Sequence, residues 1–242
     1  MLEPIFIIKR TDRTSGGAIR NRDIQRIHQH LLLSNLVILP SDTCYSLAAC
    51  ATSRTLYQTI NVILDRHDIP ISIAFPSFLV AESFAEFDHY TRLLMEKFTP
   101  GPITIVCKVT DLKDPENKYP LKEVVRSKDR TVGVRIPDSY IEREVAGCTQ
   151  YPITTVAIRD SKGNIVQNLH QAIDIVLKGI QKNKFKPDVI AIEGDFSFKK
   201  HSTVVKVDGG NLKLIREGEI DFSLIKMVFD NDYPLSNVED WT

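Results

Sequence analysis

Four apolar residues in succession, Leu36-Val37-Ile38-Leu39, run directly into Pro40-Ser41-Asp42-Thr43-Cys44-Tyr45-Ser46-Leu47. The apolar run has the composition of a buried strand, and proline ends its ladder because it has no backbone N–H to donate. A packed set of hydroxyls and one carboxylate follows at once. Such a set at the end of a buried strand can hold a small polar ligand against exposed backbone N–H groups. The simpler alternative is a strand-to-helix connection in which Ser41, Asp42 and Thr43 only cap the turn. Taken by itself, the octet favours that simpler reading.

The rest of the chain alternates strand-like and helix-like segments without strict repetition. Ile5–Ile8 reads as a strand, residues 11–21 as a polar loop, and Asp23–Leu33 as a helix. Ser53 is the expected N-cap of a helix reaching Ile63 or Leu64. Ile71–Phe75 is a short strand, and Phe78–Phe84 and Thr91–Phe98 are helices. Thr99-Pro100-Gly101-Pro102 breaks the chain before a strand at Ile103–Val109. Residues 110–130 are charged and read as a long surface connection, with a helical excursion at Leu121–Val125. Strands at Val132–Ile136, Ile153–Ile158 and Val189–Ile192 alternate with helices at Ser139–Ala146 and Gln167–Lys182. Thr203–Val207 and Leu212–Ile215 form a hairpin through Asp208-Gly209-Gly210-Asn211. Phe222–Phe229 closes the pattern as a helix, followed by a polar tail. This is an α/β (α+β) pattern with a mixed sheet. One domain over 1–221 is expected, with a C-terminal helix and tail over 222–242.

A formal net charge of zero gives no global field that would favour nucleic acid. RNA binding would need a local basic patch. The candidates are Arg126-Ser127-Lys128-Asp129-Arg130, Lys182-Asn183-Lys184-Phe185-Lys186 and Lys199-Lys200-His201. Hydrophobic residues make up 43% and charged residues 26%, ordinary for a soluble globular protein. The four cysteines and six histidines show no metal-ligand spacing, so no metal site is expected. Nor is there a phosphate-binding Gly-Lys loop or a G-x-S-x-G elbow. With reduced thiols, no membrane-length apolar run and no signal-peptide pattern, the expected location is the cytoplasm.

The octet resembles the Pro-Thr-Asp-Thr-x-Tyr-Gly-Leu signature of the YrdC/YciO-like family, which includes threonylcarbamoyl-AMP synthases. The resemblance continues in order. Phe98-Thr99-Pro100-Gly101-Pro102-Ile103-Thr104 is similar to the family's Trp-Pro-Gly-Pro-Leu-Thr. Thr131-Val132-Gly133-Val134-Arg135-Ile136-Pro137 resembles its Val-Arg-Val-Pro strand, and Ser202-Thr203-Val204-Val205 its Ser-Thr-Val-Val strand. Arg216-Glu217-Gly218 is similar to its closing Arg-x-Gly segment. The resemblance implies a twisted mixed sheet flanked by helices, with a concave, basic ligand-binding face. It also implies ATP with Mg²⁺, threonine and bicarbonate as reactants, giving an adenylated carbamate and pyrophosphate. Double-stranded RNA or tRNA is the implied macromolecular partner.

The match breaks at the cations such chemistry needs around its phosphates. Leu64 stands at the lysine of the family's Lys-x-Arg motif, while Arg66 remains. A second lysine position falls at Ile69, or is missing from a segment about one residue short. Ala157-Ile158-Arg159 replaces a Ser-x-Asn triplet. Arg159 is either a replacement cation or a surface arginine opening a turn beside Asp160. The resemblance makes Ser41, Asp42, Thr43, Tyr45, Arg66, Arg135, Arg159, Ser202, Thr203 and Arg216 the expected substrate- and nucleotide-binding residues, with no catalytic residue assigned. Asp42 and Thr43 are the candidates for threonine's ammonium and hydroxyl. Arg135, inside an apolar strand, needs an anionic partner, either a phosphate or an internal carboxylate. Three functions are open. The first is a YciO-like nucleotide- and RNA-binding protein with weak, altered or lost adenylating activity, toward which the substitutions lean. The second is an active threonylcarbamoyl-AMP synthase in tRNA modification, and the third a non-catalytic scaffold.

Overall fold

The computed structural model describes residues 5–9, 19–51, 53–66, 71–84, 87–108, 131–149 and 151–231. The charged connection, the basic run 126–130, the position of Ile69 and the tail beyond residue 231 lie outside these. Ten strands of the described residues form one sheet. They are β1 (Phe6–Ile8), β2 (Leu36–Pro40), β3 (Tyr45–Cys50), β4 (Ser72–Ala74), β5 (Ile103–Lys108), β6 (Thr131–Arg135), β7 (Ile153–Ala157), β8 (Val189–Ile192), β9 (Thr203–Asp208) and β10 (Asn211–Arg216). Their order is β1-β8-β2-β3-β7-β4-β6-β5-β9-β10, with parallel and antiparallel pairs mixed.

Helices cover both faces, which explains the unbroken apolar run of β2. Leu36 and Ile38 pack toward α2 (Arg54–Ile63) and α6 (Leu169–Gln181), while Val37 and Leu39 pack toward α1 (Asn21–Leu32) and α5 (Tyr140–Gly147). Gly179 of α6 lies so close to α2 that a Cβ there would sit 2.0 Å from the Ile63 carbonyl oxygen. The other half of the sheet packs against α3 (Phe78–Phe84), α4 (His89–Phe98) and α7 (Phe222–Asn231). The expected C-terminal extension begins with α7, whose Ile225 and Phe229 are part of this core.

The octet is not a strand-to-helix connection. Tyr45–Cys50 returns as β3, paired antiparallel with β2 from Pro40↔Tyr45 to Val37↔Ala48. Its sequence, Tyr-Ser-Leu-Ala-Ala-Cys, has little β-branched character, and the pairing comes from position. All six residues are buried between β2 and β7, and tertiary context outweighs propensity there. The hydroxyl-rich residues therefore form a hairpin turn, closed by the Ser41 N–H donating to the Cys44 carbonyl at 3.0 Å.

Candidate functional site: an arginine basin beside the octet turn

β2 and β6 stand four places apart in the sheet, about 19 Å if it were flat. Arg135, the last residue of β6, nevertheless places Nη2 2.6 Å from Asp42 Oδ1, just past β2. The sheet therefore departs from flatness enough for an arginine side chain to close that gap. Both side chains are buried. Arg135 Nη2 also donates to Ser41 Oγ at 3.1 Å, and Ser41 Oγ donates to Asp42 Oδ1 at 3.1 Å. Asp42 Oδ2 accepts the Asp138 N–H at 3.0 Å.

The anionic partner of Arg135 is thus the internal carboxylate of Asp42. Asp42 uses both oxygens in these contacts, Oδ1 accepting from Arg135 and Ser41 and Oδ2 from the Asp138 N–H. A second acid, Glu142 of α5, is wholly buried, with the Ser41 and Thr155 hydroxyls beside its carboxyl. Burial pushes its carboxyl above the usual carboxylate range, while Arg135 pulls it back and Asp42 pushes it further up. The sequence reading missed Glu142, since a glutamate on a short helix signals nothing until the helix is docked. The docking is visible: Ser139 Oγ donates to the Pro40 carbonyl at 2.8 Å and accepts the Glu142 N–H at 3.2 Å.

The segment Gly194–His201 runs along the octet turn. The Asp42 carbonyl accepts the N–H groups of Ser197 and Phe198, each at 3.0 Å. Gln167 Nε2 donates to the carbonyls of Thr43 and Phe198, at 2.7 and 2.9 Å. Tyr45 is almost wholly buried; its hydroxyl meets the Gly194 backbone N–H and carbonyl at 3.3 Å, and its ring packs edge-on against Phe196 at 5.0 Å. Tyr45 therefore holds this segment in place from below instead of facing an open cleft. Thr43 is likewise buried, and its hydroxyl faces the Cys44 thiol. Burial pushes that thiol up to about 11, leaving it protonated and a poor nucleophile near neutral pH.

Opposite lies the start of β9. Thr203 is fully buried; its Oγ1 donates to the Ile220 carbonyl at 2.5 Å and accepts the Ile220 N–H at 3.1 Å, an anchoring role. Arg216 Nη2 donates to the Ser202 carbonyl at 2.8 Å and to Ser202 Oγ at 3.0 Å. Gly218 makes this close docking possible, because a Cβ there would lie 2.3 Å from the His201 carbonyl oxygen.

Arg216 feels the charge of three arginines from other parts of the chain, Arg159, Arg135 and Arg66. Burial, then repulsion by Arg159, Arg135 and Arg66, lowers Arg216 to about 10. Arg66 follows α2 just past Asp65, which has a φ of +51°, and its backbone N–H donates to the Asn61 carbonyl at 2.7 Å. Leu64, at the expected lysine position, packs against the core beneath α2 and α6. Arg159 follows β7, where its Nη1 donates to the Gly163 carbonyl at 2.8 Å. It opens the Asp160–Asn164 turn, and its charge is also felt at Arg216, His201 and Cys44. Of the two sequence alternatives, the turn-opening one is seen in the bond to Gly163.

Crowded guanidiniums favour a multiply charged anion with oxygen acceptors, such as a phosphate chain. Among the described residues, no three His, Cys, Asp or Glu side chains form a group suited to a metal ion. Among the described residues, the two basic runs lie apart. Lys199-Lys200-His201 leads into the basin, whereas Lys182–Lys186 lies before the first residue of β8, at the end where Leu36 opens β2.

The family Sua5/yciO/yrdC, described as telomere recombination, matches residues 30–218. A protein of Methanocaldococcus jannaschii, provisionally named a threonylcarbamoyl-AMP synthase, is 27% identical over 83% of this chain and 88% of its own. The crystal structure of P. abyssi Sua5 complexed with L-threonine superposes with a TM-score of 0.74 at 24% identity. That match covers 92% of this chain, which spans only 60% of the Sua5 chain. E. coli YciO superposes with a TM-score of 0.72 at 17% identity, over 91% of this chain and 98% of its own. This chain belongs to the Sua5/YciO/YrdC family.

Proposed function

We propose that this protein binds ATP in the arginine basin, and that it is a relative of the threonylcarbamoyl-AMP synthases with a weakened adenylating step. What supports the reading is the buried Arg135–Asp42 pair at the octet turn and the Arg216 guanidinium seated on Ser202, with Arg159 and Arg66 acting on Arg216 through their charge. Arg66, Arg159 and Arg216 would take the phosphates. Arg135, held by Asp42, would contribute its field from beneath. In the synthase reaction an oxygen of carbamoylated threonine attacks the α-phosphate, and pyrophosphate leaves. The chain's part is to orient the triphosphate and neutralise the leaving group. Mg²⁺ would arrive on the ATP phosphates, since Asp42 is already fully engaged.

The weakening follows from the missing cations. Leu64 brings no charge to the position of the family's lysine, and each absent phosphate-facing cation costs about 10²–10³ in rate. A second reading, an active synthase for tRNA modification, is favoured by one observation: the charge of Arg159, which stands where the family pattern has no cation, acts on Arg216. Binding of RNA along a single basic surface draws less support, because Lys182–Lys186 and Lys199–His201 lie at opposite ends of β8. No described helix is long and apolar enough to cross a membrane, and a cytoplasmic location goes with this reading.

Calorimetry with ATP and Mg²⁺, followed by pyrophosphate release with threonine and bicarbonate, tests the proposal. Binding with little turnover, raised by Leu64→Lys, supports the first reading. Ready wild-type turnover supports the second, and absence of nucleotide binding removes both.

A further inference from the structure

β2 and β8 run parallel and start at the same end of the sheet, where Leu36 lies opposite Val189 and its N–H donates to the Asp188 carbonyl at 3.0 Å. Their other ends lead to the octet turn, where Gly194 meets Tyr45. At the starting end, away from the arginine basin, a cleft of about 540 Å³ opens between α1, β1 and the segment that joins α6 to β8. That volume lies within the range of small-molecule sites.

α1 turns Arg26, Gln29 and His30 to the cleft, with Leu33 just past its end, a stripe at helical spacing. Leu33 is 75% exposed and Phe6 of β1 46%, so apolar surface stands open at the mouth, while Ile180 and Val189 are buried beneath. The Arg26 guanidinium lies over the Phe6 ring, 4.2 Å from its centroid. That stacking occupies the flat face of the guanidinium and leaves its in-plane N–H edges for an acceptor. Lys186 lines the same cleft from the basic run after α6. Among the described residues, no carboxylate forms an ion pair with Arg26 or Lys186.

His30 is already engaged. Its Nε2 donates to the Leu36 carbonyl at 3.0 Å, and burial holds the imidazole below its ordinary range, so it adds no charge near neutral pH. Asp188 is the acid of the lining. Two cations against one carboxylate leave one net positive charge, which suits a monoanion and disfavours a polyphosphate.

We propose that this cleft is a second ligand site, taking a small monoanion with an apolar body. A carboxylate accepts from Arg26 and Lys186, and the apolar body covers Phe6, Leu33 and Val189. The proposal stands independently of what the arginine basin binds.

The test is calorimetry and backbone-amide NMR of the full chain with octanoate as the probe and octylamine as its chain-matched cation. Octanoate should bind saturably at one site, shifting the amides of Arg26, Leu33 and Asp188 but not those of Ser197–Ser202. Octylamine should bind about tenfold or more weakly, a comparison that needs no variant. Arg26→Gln with Lys186→Gln, both at exposed positions, should weaken octanoate about tenfold without moving the thermal melt. Saturating ATP should leave octanoate binding unchanged. Equal binding of octanoate and octylamine would reduce the cleft to a merely apolar surface and overturn the proposal. It is overturned as well by unchanged octanoate affinity in the double variant, by displacement of octanoate by ATP, or by the lack of any saturable binding.

Discussion

The Arg135 guanidinium and the Asp42 carboxylate meet at 2.6 Å with both side chains buried, joining the end of β6 to the turn after β2. This pair fixes the curvature of the sheet and sets the floor of the arginine basin. Its energetics resemble those of other buried ion pairs: desolvation offsets much of the attraction, but breaking one side leaves a bare charge.

Asp42→Asn should destabilise the fold by about 3–5 kcal/mol, because it leaves the guanidinium buried without its counter-charge. The joint replacement Asp42→Leu with Arg135→Met should recover much of that loss. Urea denaturation of the three proteins checks both statements; equal stability of Asp42→Asn and wild type would sink them.

Glu142 predicts a pH dependence of stability. Its folded-state carboxyl is raised by burial, so the folded state holds the proton more tightly than the unfolded chain. Its contribution is fully present below the ordinary carboxylate range and is lost as pH rises through the raised value. Glu142→Gln should remove that slope, which cannot exceed about 1.4 kcal/mol per pH unit for one proton. Denaturation midpoints measured from pH 4 to pH 8 would expose an unchanged slope if the assignment is wrong.

Gly218→Ala should push the Arg-Glu-Gly segment off the start of β9. The new Cβ would lie 2.3 Å from the His201 carbonyl oxygen and 2.6 Å from the Thr203 nitrogen, both backbone atoms with little room to yield. A loss of about 1–3 kcal/mol in stability is expected, together with weaker ATP binding as Arg216 loses its seat on Ser202. Thermal melts and calorimetry read the two effects separately.

Much of the architecture could be read from local pattern. The helix Phe78–Phe84, the strand Val189–Ile192, the Ser53 cap and the Gly-Gly hairpin appear where periodicity and turn chemistry put them. Hidden features came from long-range geometry. β3 lacks strand propensity and exists because β2 and β7 flank it. That Arg135 meets Asp42 depends on sheet curvature, which no local window encodes. The bonds of Tyr45 to Gly194 and of Thr203 to Ile220 were equally invisible, since their partners lie far away in sequence or on another element. Gln167 gave no motif at all; only the fold brings it to Thr43 and Phe198.

Arg159 carries the central claim, as the cation that the sequence supplies outside the family pattern. The most direct measurement is ATP affinity by calorimetry with Mg²⁺, for wild type and Arg159→Ala, at low and moderate salt. The account predicts measurable binding to wild type, about tenfold or more weaker in Arg159→Ala, with a shallower salt dependence in the variant. Equal affinity of the two proteins, or no binding to either, would contradict it.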